Sequence, residues 1–83
     1  METELRRRDK HEIVLDILKI ARDGKRKTQI MYKAKLSYDQ LKVYLELLND
    51  RGLLESNNGF YRTTCKGLDF IRTYEEFSLF KVP

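Results

Sequence analysis

Between residues 22 and 35 the chain carries Arg22, Lys25, Arg26, Lys27, Lys33 and Lys35 against a single acid, Asp23. Cations at that density attract polyanions, phosphate chains foremost. Just downstream stand Tyr38, Gln40, Lys42 and Val43. A Gln carboxamide can pair two hydrogen bonds with adenine, a Lys ammonium can reach guanine or phosphate, and an apolar side chain can touch a thymine methyl. Thr28, Gln29 and Ser37 lie among these residues and complete the candidate contact set. Arg62, farther along, can set a charge on a phosphate or in the minor groove.

Catalytic chemistry finds few parts here. The one histidine, His11, and the one cysteine, Cys65, have no second Cys or His with which to build a metal site. Four scattered glycines make neither nucleotide-binding fingerprint, and Glu75 and Glu76, adjacent on a helix, point in different directions. No enzyme, metal or cofactor is expected, and no small-molecule substrate is evident.

Eighty-three residues suit one small domain, which buries roughly 60% of the surface its unfolded chain exposes. At 41% hydrophobic and 36% charged, the chain can form a core under a densely charged surface. The net charge of +4 is front-loaded, because the Lys and Arg excess falls before residue 43 and the remainder is close to neutral. No apolar run approaches the roughly 20 residues of a membrane span. The opening "METELRRRDK" lacks the apolar stretch of a secretory signal, and a lone cysteine fits a reducing compartment. The expected location is cytoplasmic and nucleoid-associated, with no membrane partner.

The elements that must position the candidate residues follow from periodicity and caps. Asp9, with Glu12 three residues on, predicts a helix start. Ile13, Val14, Ile17, Leu18, Ile20 and Ala21 then give it a broad apolar face, and Gly24 is expected to end it in a left-handed conformation. Thr28 is expected to cap a short second helix with Ile30, Met31 and Ala34 inward. After the break "KLS", Ser37 caps a third helix with Gln40 at the capping-box position. Leu41, Tyr44, Leu45 and Leu48 form its inner stripe, so Asp39, Lys42, Val43, Glu46 and Asp50 lie outside. Two short strands around Asn57, Asn58 and Gly59 predict a hairpin, and a last helix should run from about Thr64 to Ser78.

Helix, short helix, tight turn, helix, hairpin is the order of a winged helix-turn-helix, whose third helix enters the DNA major groove. The expected fold is mostly α with a small β-hairpin: a three-helix core plus wing and a C-terminal dimerisation helix. Residues 1–8, with Arg6, Arg7 and Arg8, are expected to form a flexible basic arm, 9–63 the winged domain, and 64–83 the dimerisation element. Leu68, Phe70, Ile71, Tyr74, Phe77 and Phe80 offer more apolar width than one packing face needs.

The stretch "KTQIMYKAKLSYDQLKVYLELLNDRGLLE", followed by "YRTTCKGLDFI", resembles the small archaeal winged-helix DNA-binding proteins. The likeness covers roughly residues 10–78 and is nearest to chromatin-associated members that dimerise through a C-terminal antiparallel coiled coil; "IMYKAKLSY" is its most specific part. It implies a homodimer on double-stranded DNA, with modest or no sequence preference, or a small transcription regulator. Two departures stand out. Lys35 occupies a turn position where such proteins often have Asn or Gly, and a left-handed lysine costs about 1–2 kcal/mol. The last helix is also too short for an extended coiled coil. The alternative is a winged helix used for protein contact without direct DNA contact.

Overall fold

The structure, a computed structural model, describes residues 9–79, with side chains as far as Glu76. The expected arm at residues 1–8 and the side chains of Phe77 and Phe80 lie outside the described residues. Helix α1 (Lys10–Ile20) opens as its sequence predicts, with Asp9 Oδ1 accepting from the Glu12 N–H at 2.9 Å. It ends earlier than the glycine implied. The chain tightens into a 3₁₀ turn at Ala21–Asp23, and Gly24, at φ +89° and ψ 121°, has a positive φ but an extended ψ. That conformation directs the backbone straight into a strand.

This strand, β1 (Lys25–Arg26), has no counterpart in the sequence reading. It pairs antiparallel with β3 (Phe60–Thr63), Lys25 opposite Tyr61 and Arg26 opposite Phe60. With β2 (Leu54–Asn57) on the other side of β3, the expected hairpin is a three-stranded sheet of order β1-β3-β2. Two residues cannot show an alternation of their own. The turn between β2 and β3 is as expected: Asn58 at φ +53° and Gly59 at φ +84° supply the two positive angles of a two-residue hairpin.

Helix α2 (Lys27–Ala34) begins one residue before the predicted cap, Thr28, which sits exposed inside the first turn. The reason is non-local. Pairing with Phe60 holds Arg26 extended, so the helix starts directly after it, and Gln29 Oε1 accepts from the Arg26 N–H at 2.9 Å. At the far end Lys35 is left-handed, at φ 58° and ψ 47°. Its N–H donates to the Tyr32 carbonyl while the Leu36 N–H donates to Met31, the two bonds of a Schellman motif, and Leu36 turns into the core.

Ser37 then caps helix α3 (Tyr38–Asp50) in a complete capping box. The Gln40 N–H donates to Ser37 Oγ at 3.1 Å, and the Ser37 N–H donates to Gln40 Oε1 at 3.0 Å. Helix α4 (Cys65–Leu79) is set by Thr64, whose hydroxyl accepts from the Gly67 N–H at 3.1 Å and donates to the Gly52 carbonyl at 2.6 Å.

The core gathers Leu15, Ile17, Leu18 and Ala21 with Ile30 and Ala34, Leu36, the α3 leucines 41, 45 and 48, Leu54 and Ile71. Leu15, absent from the predicted face, belongs to it. One buried polar side chain, Thr63, donates to the Leu18 carbonyl at 2.6 Å and so ties the base of the wing to the last turn of α1. Lys19 and Glu75, 2.9 Å apart, link α1 to α4, and His11 stacks on Tyr74.

Gly67 is the point of closest approach. A Cβ there would collide with the Leu53 carbonyl oxygen and the Thr63 methyl, both parts of the rigid wing base. Gly67→Ala is expected to destabilise by on the order of 1–3 kcal/mol, read as a lower midpoint in thermal unfolding. A raised midpoint, as helix propensity alone would give, would show that the contact does not exist.

Candidate nucleic-acid interface

The outer face of α3 is open along its length. Lys42, Glu46 and Asp39 are exposed, Val43 is 63% exposed and Tyr38, at the first turn, 50%. No core contact accounts for Val43. Lys27, the first residue of α2, reaches across the turn: its Nζ lies 5.2 Å from the Tyr38 ring centroid and 3.5 Å from the phenol oxygen. Together with Lys42, Leu45, Glu46 and Tyr61 these two side chains line one shallow groove. Two ammonium groups against one carboxylate leave it cationic. Glu46 marks where phosphate contact along the helix stops being favourable.

Tyr61 was not among the predicted site residues. Its signal was present in the adjacent aromatics Phe60 and Tyr61, because successive strand residues face opposite sides of a sheet and two aromatics in a row cannot both turn inward. Tyr61 faces α3, and Phe60 faces away with Arg62.

The predicted contact set therefore divides. Lys27, Tyr38 and Lys42 come together, with Val43 beside them on α3. Lys33, Thr28 and Lys35 are exposed on α2 and the turn after it. Lys25 sits opposite Tyr61 in the sheet, whereas Arg26 extends over the Phe60 ring, 4.5 Å from its centroid. Arg62 lies opposite Glu55 on the sheet face turned from α3, not beside the helix.

Two residues of the expected contact set, Gln29 and the expected adenine reader Gln40, are already engaged. The carbonyls of Gln29 and Gln40 accept backbone N–H groups at the starts of α2 and α3. A paired contact to adenine uses both ends of a carboxamide, so Gln40 would have to leave its cap to make one. Ser37 likewise spends its hydroxyl on the helix start.

The family model described as "Winged helix-turn-helix" matches residues 7–81. The chain belongs to the winged helix-turn-helix family. Its fold is similar to the crystal structure of Sso10a-2, a DNA-binding protein from Sulfolobus solfataricus, with a TM-score of 0.77 and 29% identity, covering 89% of this chain and 82% of that one. It is also similar to the uncharacterised protein MJ0290 of Methanocaldococcus jannaschii, 34% identical over 71 residues. That match takes in 84% of this chain but spans only 34% of the relative's length. Both similar proteins are archaeal, and one is described as binding DNA, in keeping with the family to which "IMYKAKLSY" pointed.

In this winged helix-turn-helix the α4 residues expected at a dimer interface are used unequally. Ile71 is 2% exposed and belongs to the domain's own core, which removes it from any surface offered to a second copy. Phe70 and Tyr74 are half-buried against that core, and Leu68 is the one left well exposed, at 38%, among the described residues of that set.

The capping box makes a direct prediction. Ser37→Ala is expected to cost about 1 kcal/mol in urea unfolding. Gln40→Glu keeps an acceptor for the Ser37 N–H and should change stability by less than about 0.5 kcal/mol. Equal losses in the two variants would show that a carboxylate does not replace the Gln40 carboxamide as the acceptor in the box.

Proposed function

We propose that this chain binds double-stranded DNA, with the outer face of α3 toward the major groove and the ammonium groups of Lys27 and Lys42 on flanking phosphates. The observation that carries the reading is the shared cationic groove of Lys27, Tyr38 and Lys42 beside the exposed Val43. The DNA-binding description of Sso10a-2 supports it. Because Gln29 and Gln40 serve as caps, most of the affinity comes from phosphate contacts, which carry no sequence information themselves. A nucleoid-associated role fits such binding, and a transcription regulator is the variant in which Val43 and Lys42 supply enough discrimination.

The test is fluorescence anisotropy of a labelled random-sequence duplex between about 50 and 200 mM salt. Affinity should fall steeply with salt, and Lys27→Ala or Lys42→Ala should each reduce the slope by about one. Arg62→Ala, on the other sheet face, should leave the slope unchanged. Absence of binding to random duplex at the lowest salt would sink the phosphate-driven reading and favour the protein-contact module.

We further propose that the DNA-binding unit is a homodimer paired through residues 68–80. Exposed Leu68, in a groove with Cys65 and Arg72, supports this pairing. Sedimentation at high micromolar concentration should give about twice the 10.0 kDa chain mass. A monomer there, together with normal DNA binding, would exclude the pairing.

A further inference from the structure

The sheet has a second face that duplex binding through α3 leaves unused. Register places Arg26, Phe60 and Asn57 in one row across the three strands, with Arg62 and Glu55 in the next. Gly24 extends that second row on the β1 side; a Cβ on it would lie 3.8 Å from the Arg62 guanidinium. All five side chains are exposed, so no helix among the described residues covers them.

Phe60 is 42% exposed in a position where nothing packs on it from the core. Arg26 stands 4.5 Å from its ring centroid. An open groove of about 570 Å3 is lined by Glu55, Asn57, Asn58, Phe60 and Arg62 but not by Arg26. Register thus sets the ring between the guanidinium on β1 and the groove on the β2 side, with Asn57 beside it in that groove. That volume lies within the roughly 300–1,000 Å3 of small-molecule sites in general.

The chemistry around the ring is that of a nucleobase site. An aromatic face accepts any base by stacking. Glu55 only accepts hydrogen bonds, Arg62 only donates them, and Asn57 does both, so the groove edge matches the mixed donors and acceptors of an unpaired base. Arg26 and Arg62 against Glu55 leave the face net cationic, complementary to the phosphates on either side of such a base. In a duplex the base faces are stacked on one another and cannot reach Phe60.

We propose that the outer face of the wing sheet, with Phe60 between Arg26 and the groove edged by Glu55, Asn57 and Arg62, stacks an unpaired base of single-stranded nucleic acid. This site is separate from the α3 surface and does not depend on the duplex-binding reading.

The chain contains no tryptophan, so Phe60→Trp introduces a sole indole at the groove. A mixed-sequence single-stranded DNA oligonucleotide, and in a parallel arm its RNA counterpart, should quench that indole saturably. Inorganic polyphosphate, which has the charge but no bases, should not. In the otherwise unaltered full chain, Phe60→Ala should weaken single-strand binding roughly 5- to 150-fold, the range for loss of one base stack. Duplex affinity should stay within about twofold, which also reports that the variant is folded, whereas Lys42→Ala should weaken the duplex preferentially.

Quenching by polyphosphate equal to that by the oligonucleotides, or none by either nucleic acid, would overturn the proposal. So would a single-strand affinity lost in Lys42→Ala and kept in Phe60→Ala. Failure of duplex binding with single-strand quenching intact would count against the α3 reading and leave the stacking site standing.

Discussion

The architecture depends on a pairing of two residues. Lys25 and Arg26 lie against Tyr61 and Phe60, and through that contact the start of α2 is joined to the wing. Because Arg26 is held extended, α2 begins at Lys27, and its side chain meets Tyr38 at the start of α3. A strand this short is weak alone. It is supported on one side by the positive φ of Gly24, which turns the chain out of the 3₁₀ segment, and on the other by Thr63, whose buried hydroxyl holds β3 to α1. The same pairing brings Arg26 over Phe60, so both faces of the sheet take their chemistry from it.

The polar side chains divide their work between holding the backbone and meeting partners. Asp9, Gln29, Ser37, Gln40, Thr63 and Thr64 all bond main-chain groups at helix starts or at the wing base. Helix ends leave several N–H groups without an internal partner, and in a domain this small a lost cap is a sizeable share of total stability. The duplex contacts proposed above are cations, a valine and tyrosines, a set suited to charge and contact area more than to paired hydrogen bonds with base edges. The left-handed Lys35 also belongs to this division: it carries a backbone cost that glycine would avoid, and keeps a cation beside the turn.

Helix α4 is a structural member of the domain as well as its C-terminal element. Gly67 lets it approach the Leu53 carbonyl, Ile71 completes the core, and Glu75 meets Lys19 on α1. Among the described side chains its apolar width, read from sequence as two stripes, is largely taken up by the domain's own core. Leu68 is the part of the described helix that remains well exposed.

What the sequence determined by itself was local: the caps of α1 and α3, the inner stripe of α3, the Asn58–Gly59 turn and the density of positive charge. These follow from rules that act within a few residues, where side-chain spacing and allowed φ angles leave few choices. Tertiary structure decided the rest: strand β1, the displacement of Thr28 by Arg26 at the head of α2, the close packing of Gly67, and the facing of Phe60 and Tyr61 to opposite sides of the sheet. Each depends on a partner between about 14 and 36 residues away, as the register and contacts show. No local pattern encodes such a partner, because the pairing is chosen only when the helices and the wing close around one core.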